Sequence, residues 1–528
     1  MTIVDQLNGL LIGLIVVLGT NYVIKAYFKY HRDVHELYVQ DQSVVETTRL
    51  PHESPIYKSN KLDHNSGLRI GLDIRYDHYK IRHGNLNDIW TIISSGNSTE
   101  NGITINNEFR SFSKLNHQIK LVCEFFNQQI KNVHTIRINQ RLFLINLEVL
   151  VFIFSAFINQ ITVEFYDSSK VFNINDHDEG IWWLVDDEEL LNITSTNYIN
   201  IHDQTIYKPL SKDELITHKY DYSSSKDKGV AVRIIGRTLS GNPNMTTTVE
   251  FTQLNLISAI ASSLKHLPES KALSSKDTVM IIQEIDSSKF SSSTGLISDL
   301  VRILASLTAK ASVEIYNHKE PTLTWKELFG LGVTVLSIST ANKHLTLDTI
   351  LKENSILNPI YRFTRYFRLQ SLKSGRFPGN NGFQSLRLIY LHSPITQPVK
   401  YTLYELNEFR SETSSRIIRE FYHYSLSGPV IQSEFYDYRQ FQLPIGCKGC
   451  GCLSQALDIK LVDINEKNKI GNVVVRGYTI GKTTNKFINE NSYDGSNNNT
   501  SIPNNNDGFM PLTNVKGKWG NDGCLYIF

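Results

Sequence analysis

Between Val230 and Leu264 the chain reads VAVRIIGRTLSGNPNMTTTVEFTQLNLISAIASSL. Val230–Ile235 is an apolar β-run; a Ser/Gly/Pro/Asn loop follows, then a short extended piece and an amphipathic helix from about Gln253. A polar, glycine-bearing loop between strand and helix is where a nucleotide-binding chain cradles phosphate, because backbone N–H groups converge there on an anion. The glycines and the lysine that such a loop needs are mostly missing, so its position and its residues point in different directions.

The preceding half supplies the rest of a layered fold. Gly67–Tyr79 alternates like a strand or edge segment, and Phe109–Lys131 carries apolar residues at helical spacing (Leu115, Ile119, Val122, Phe126, Ile130). Leu142–Ile158 is strongly apolar but holds Asn146 and Glu148. It is expected as a buried helix, with a second membrane span as the alternative. Ile161–Tyr166 reads as the next strand, and the acidic run Asp186–Glu189 as a solvated helix start. Alternating strand and helix patterns favour a doubly wound α/β architecture.

Leu7–Ile24 is nearly all apolar and uncharged, close to the lower length limit for a membrane-spanning helix. Asp5 precedes it, and Lys25, Lys29, His31 and Arg32 follow it, which puts the C-terminal side in the cytosol. The segment is expected as a signal anchor, with an interfacial helix or hairpin and a cleaved signal as alternatives. Residues 25–66 are polar with turn signals and are expected as an extended linker.

Composition excludes some classes. At 528 residues, 41% hydrophobic and 20% charged, the chain is ordinary globular material with a sizeable core. A formal charge of +2 gives no support for nucleic acid as a partner. Five cysteines make no disulfide framework in a chain this long and point to a reducing compartment.

Several further stretches fall in a consistent order. FTQLNL (Phe251–Leu256) follows Gly241-Asn242-Pro243. Upstream stands His52-Glu53-Ser54-Pro55-Ile56-Tyr57. Downstream come Ser385-Leu386-Arg387-Leu388-Ile389, Ile459-Lys460-Leu461-Val462-Asp463, Val473-Val474-Val475-Arg476-Gly477 and Asp522-Gly523-Cys524-Leu525-Tyr526-Ile527. Together they resemble the fatty acyl-CoA synthetases of the adenylate-forming (AMP-binding) superfamily, in the long-chain branch, over roughly residues 50–528. The resemblance implies an α/β fold: two α/β subdomains (67–444) and a smaller β-rich subdomain (445–528), behind an N-terminal membrane helix (7–24). Residues 482–507, rich in Asn, are expected as a flexible surface insertion.

It also implies site residues, and these have changed. The phosphate-binding SGTTG segment is replaced by Arg237-Thr238-Leu239-Ser240-Gly241, and Asn244 stands at the lysine position. In place of YGxTE the chain has Tyr424-Ser425-Leu426-Ser427-Gly428, so Gly428 stands where a carboxylate would place Mg²⁺. Glu434 could replace it only on a different loop path. The ribose-binding TGD is matched by Leu512-Thr513-Asn514, an amide for an ionised acceptor. The family continues into a small C-terminal domain that carries the lysine for adenylate formation, whereas this sequence ends at Phe528. Catalytic groups that act as a unit are not rescued by the members left behind.

The expectation is therefore a degenerate homologue. Ser240, Gly241, Tyr424, Ser427 and Asn514 are remnant nucleotide-site positions, with no catalytic residue and no metal ligand assigned. No cofactor is expected; ATP and Mg²⁺ enter only under the alternative, an active long-chain fatty acid–CoA ligase with divergent motifs. Expected partners are a membrane, through the N-terminal helix, a fatty acid or acyl chain, and proteins of lipid metabolism, at the endoplasmic reticulum or lipid droplet. The CxxCxC cluster Cys447–Cys452 is expected as an ordinary loop, because a zinc site needs a fourth ligand.

Overall fold

The computed structural model describes residues 3–47, 49–62, 67–75, 78, 80–94, 100–128, 130, 132–166, 180–190, 197–203, 205–207, 229–237, 245–282, 292–317, 323–354, 359–379, 385–487 and 508–528. Segments 238–244 and 488–507 lie outside them, and with the first go Ser240, Gly241 and Asn244.

The first sheet is parallel over Tyr198–Asn200, Ile181–Val185, Thr135–Asn139, Thr162–Tyr166 and Val230–Arg237, in that spatial order. Ile136, Ile138, Val163, Phe165 and Val232 share one face and Thr135, Arg137, Asn139 and Glu164 the other; all are buried, so the sheet is covered on both faces. Met245–Thr252 then returns antiparallel along Val230–Arg237. Lys482–Phe487 adds a seventh strand beside Met245–Thr252, from Glu250↔Lys482 to Met245↔Phe487. The beginning of the stretch expected as a flexible insertion is thus an edge strand. Its sequence, KTTNKF, has too little apolar alternation to announce that; pairing with the strand Met245–Thr252 supplies the order.

The second sheet runs Glu108–Ser111, Gly102–Ile105, Ser312–Tyr316, Thr278–Ile282, Val335–Ser339, Leu388–Pro394, Arg416–Tyr422 and Ile431–Gln432. Its six inner strands are parallel and its two outer ones antiparallel. Alternation along one strand shows how it is wound. Leu388 and Tyr390 enter the core shared with the first sheet, while Ile389 and Leu391 enter a second core under the helix Leu403–Thr413. The helices Leu86–Ser94, Gln253–His266 and Ser292–Thr308 contribute to the shared core.

Leu147–Ile158 packs against the helices Phe112–Gln128 and Leu86–Ser94. Val149, Leu150, Val151, Phe152 and Ile153 are all fully buried, so the helix is apolar on every side because it has protein on every side. Its 12 residues span roughly 18 Å, well short of a bilayer core. It is a core helix, as expected.

The β-rich part consists of Gly449–Leu453, Leu457–Val462, Gly471–Gly477, Met510–Trp519 and Leu525–Ile527, joined to the second sheet where Gly449–Leu453 pairs with Ile431–Gln432. The segment expected as an open linker belongs to it. Ser43–Val45 and Tyr57–Ser59 pair with each other, and Tyr57 lies opposite Ile459 and stacks on Trp519 with ring centroids 3.6 Å apart. Asp33 accepts hydrogen bonds from Arg416 Nη2 and Tyr438 Oη, both at 3.0 Å. Ahead of it the helix Ile3–Tyr30 is long and apolar enough over Asn8–Tyr30 to cross a membrane, and a signal sequence would pass the same test. Leu10, Ile12, Ile15, Val17 and Val23 on it are all exposed.

Candidate functional site

The structure gathers part of the expected site at the N-terminal end of the helix Gln253–His266. Thr252 caps this helix: its hydroxyl accepts from Asn255 N–H, and Asn255 Oδ1 accepts from Thr252 N–H at 2.8 Å. The orphan donors of the first turn are thereby partly used within the chain itself. The strands Val230–Arg237 and Met245–Thr252 that flank the expected phosphate loop are antiparallel neighbours, and the loop itself, 238–244, lies outside the described residues. The eight residues of Met245–Thr252 span roughly 26 Å before the helix begins.

Ser427 reaches the helix start, and both of its donors are committed there. Its hydroxyl donates to Asn255 C=O at 2.8 Å, and its N–H donates to Thr479 C=O at 2.9 Å. Gly481 N–H in turn donates to Ser425 C=O at 2.8 Å, and Asn255 Nδ2 donates to Tyr478 C=O at 2.6 Å. The stretch Tyr478–Gly481 is thus zipped along Ser425–Ser427. Gly428 is buried beside it, and a Cβ built there would lie 3.3 Å from Ala259 Cβ and 3.5 Å from Thr479 Cγ2.

Tyr424 and the Leu512–Asn514 stretch do come together. Tyr424 Oη donates to Thr513 Oγ1 at 3.2 Å, and the ring stands 4.3 Å from that of His423. Burial pushes the Tyr424 phenol up and brings His423 down to about 4, so both are neutral near pH 7. Asn514 sits at an irregularity of strand Met510–Trp519 with φ near 60° and its side chain exposed. Asparagine tolerates that left-handed conformation, which accounts for the residue without a ligand. The groups assembled here are a phenol, hydroxyls, amides and a neutral imidazole.

Glu434 lies away from the Tyr424–Gly428 segment. It is buried at the other end of the same helix, 2.7 Å from Lys61 Nζ and 3.3 Å from Tyr38 Oη. Lys61 also donates to His266 C=O, and eleven helical residues, roughly 16 Å, separate His266 from Asn255. His266, Glu434 and Cys452 do form a group whose ligand atoms lie within 4.8 Å of one another. The Lys61 ammonium, 3.4 Å from His266 Nδ1, already supplies a positive charge to that group. Spread over nearly four hundred positions (Lys61 to Cys452), these residues leave no signal in the sequence. The CxxCxC cysteines are free; Cys447 Sγ donates to Gly449 C=O at 3.3 Å and Cys452 Sγ to Gln432 C=O at 3.0 Å.

No model of a protein family matches the chain. The uncharacterized protein YHR045W of Saccharomyces cerevisiae is 25% identical to it over 582 aligned positions, which cover 98% of this chain and 97% of that protein. Among solved structures, o-succinylbenzoate CoA synthetase (MenE) from Bacillus subtilis, bound to its acyl-adenylate intermediate, is similar with a TM-score of 0.56 at 16% identity, over 83% of this chain and 77% of that one. The luciferase-like enzyme of the mealworm Zophobas morio is similar with a TM-score of 0.55 at 10% identity, over 87% of this chain and 98% of that one. The chain has the fold of the adenylate-forming enzymes, with mixed α/β layers and large sheets.

Proposed function

We propose that this chain is a membrane-anchored, catalytically inactive relative of the acyl-CoA synthetases, which keeps the fold to bind an acyl chain or to act as a scaffold in lipid metabolism. The observation that carries the reading is the state of the Tyr424–Gly428 segment. A glycine, packed against Ala259 and Thr479, stands where Mg²⁺ would need a carboxylate, and the neighbouring Ser427 hydroxyl is spent on backbone carbonyls. Adenylation depends on charge stabilisation at the phosphates, and the groups gathered at Tyr424–Gly428 carry no charge to supply it. The apolar helix Asn8–Tyr30 followed by Arg32 supports an anchor with the folded body in the cytosol, at the endoplasmic reticulum or lipid droplet.

The test is an assay of the purified full-length protein with ATP, Mg²⁺, CoA and a long-chain fatty acid. No acyl-CoA above a vector control is expected; ATP-dependent product would overturn the proposal. Calorimetric titration with fatty acid in the absence of nucleotide separates the two roles: binding supports a lipid-binding remnant, and its absence supports a scaffold.

A further inference from the structure

A cavity of about 20 Å³ lies where the strand Arg416–Tyr422, the helix Leu403–Thr413 and the β-rich sheet meet. On the same measure a single water needs roughly 10–15 Å³. Arg419 and Arg410 line the cavity and are only 4% and 3% exposed. Arg410 Nη1 donates to Asn407 Oδ1 at 2.6 Å and Nη2 to Ile417 C=O at 3.1 Å. Among the described residues, Arg410 Nε and both Nε and Nη1 of Arg419 have no hydrogen-bond partner.

The charges at this junction do not cancel. Arg439, the third arginine of the lining, donates from Nε and Nη2 to Asp437 at 2.9 and 2.6 Å, and its Nη1 lies 3.0 Å from Asp522. Both carboxylates are therefore shared with Arg439, and three guanidiniums face two acids. The thiols of the lining cannot serve as counter-ions, since burial pushes Cys450 up to about 11 and raises Cys524 further. Burial, with the like charges of Arg419 and Arg416, brings Arg410 down to about 10. A buried guanidinium with unpaired N–H groups is costly, and its hydrogen-bonding geometry suits oxyanions.

We propose that this cavity binds one small oxyanion of the phosphate or sulfate class, held by Arg419 and Arg410. The site lies away from the Tyr424–Gly428 segment and stands or falls independently of the proposed function.

The test is thermal unfolding of the purified full-length protein in detergent, titrated with inorganic phosphate at constant ionic strength set by chloride. A saturable rise of roughly 2 °C is expected for wild type and none for Arg419→Met. In anion-poor buffer Arg419→Met should unfold no earlier than wild type, because it removes the uncompensated charge. An equal response of both proteins to phosphate, or earlier unfolding of the variant in anion-poor buffer, would overturn the proposal. Should the variant not fold, equilibrium dialysis of wild type against radiolabelled phosphate decides. Saturable binding displaced by sulfate but not by equal chloride supports the site; no saturable binding, or displacement by chloride alone, overturns it.

Discussion

Gly428 separates the two meanings a residue can have at this site. Read against the family pattern it is a lost carboxylate; read in the structure it is a close-packed contact with Ala259 and Thr479. Restoring the carboxylate should not restore a metal site, because its Cβ alone would already press on Ala259 and Thr479. Gly428→Glu is expected to lower stability by about 1–3 kcal/mol, measured by denaturant unfolding, with no gain in Mg²⁺-dependent activity. An unchanged midpoint would show that the site is open. A second residue-scale prediction concerns Arg302, which lies in the shared core, donates to both oxygens of Glu420 at 2.7 and 2.8 Å and stands over the Tyr390 ring. Glu420→Gln leaves that guanidinium buried beside a neutral amide, and a loss of about 3–5 kcal/mol is expected. The double replacement Arg302→Met with Glu420→Leu should lose less than the single one; additive losses would contradict this. Motif order alone makes Tyr424, Ser427 and Asn514 legible as candidates. Their hydrogen-bond commitments are not legible, since Ser427 is spent on Asn255 and Thr479, residues 172 and 52 positions away.

At the scale of elements, the helix Gln253–His266 begins where the pattern places it, and its start is a local property. Thr252 and Asn255 close a capping box within one turn. Thr252→Ala is expected to lower stability by about 1 kcal/mol, read as a shift in unfolding midpoint. Asn255→Ala should cost more, because Asn255 Nδ2 also holds Tyr478 C=O. The helix Leu147–Ile158 was open between a core element and a membrane span on composition alone; length and protein on every side decide it. For the N-terminal helix the corresponding test is fractionation. Full-length protein should partition with membranes and a variant lacking residues 1–30 with the soluble fraction, and membrane retention of the shortened chain would count against the anchor. The strand Lys482–Phe487 marks the limit of element-level prediction, because an edge strand without alternation exists only through its neighbour.

The whole molecule carries a pH dependence set by groups buried in their neutral forms. Burial and nearby cations hold His266 well below the usual imidazole range; the same causes bring His392 to about 3, and burial brings His423 to about 4. Protonation of these three favours the unfolded chain, so their contribution is fully present above about pH 6.5 and is lost as the pH falls toward 4. Asp299 has the opposite sign: burial raises it to about 8, so its contribution is lost as the pH rises from about 4 to 8. Between pH 4 and 6.5 three histidines outweigh one carboxyl, and above 6.5 only Asp299 acts among these four. Stability is expected to rise from pH 4.5 to about 6.5, at roughly 2–3 kcal/mol per pH unit over the steepest part, and to decline gently toward pH 8. Denaturant midpoints across that range check it, and a flat profile below pH 6.5 would show that the histidines are not buried neutral.

What the sequence determines here is local and ordered. Strand and helix periods, a capping box and a consistent run of family-like segments are properties of near neighbours and of chain order, and they suffice for a layered α/β fold. What only the tertiary structure decides is which distant groups meet. Glu434 finds Lys61, Ser427 finds a backbone carbonyl, residues 43–59 add strands to a sheet built about four hundred residues later, and Arg419 lines a cavity with its Nε and Nη1 unpaired. Charge and hydrogen-bond balance depend on partners brought together by folding, and no spacing along the chain encodes them.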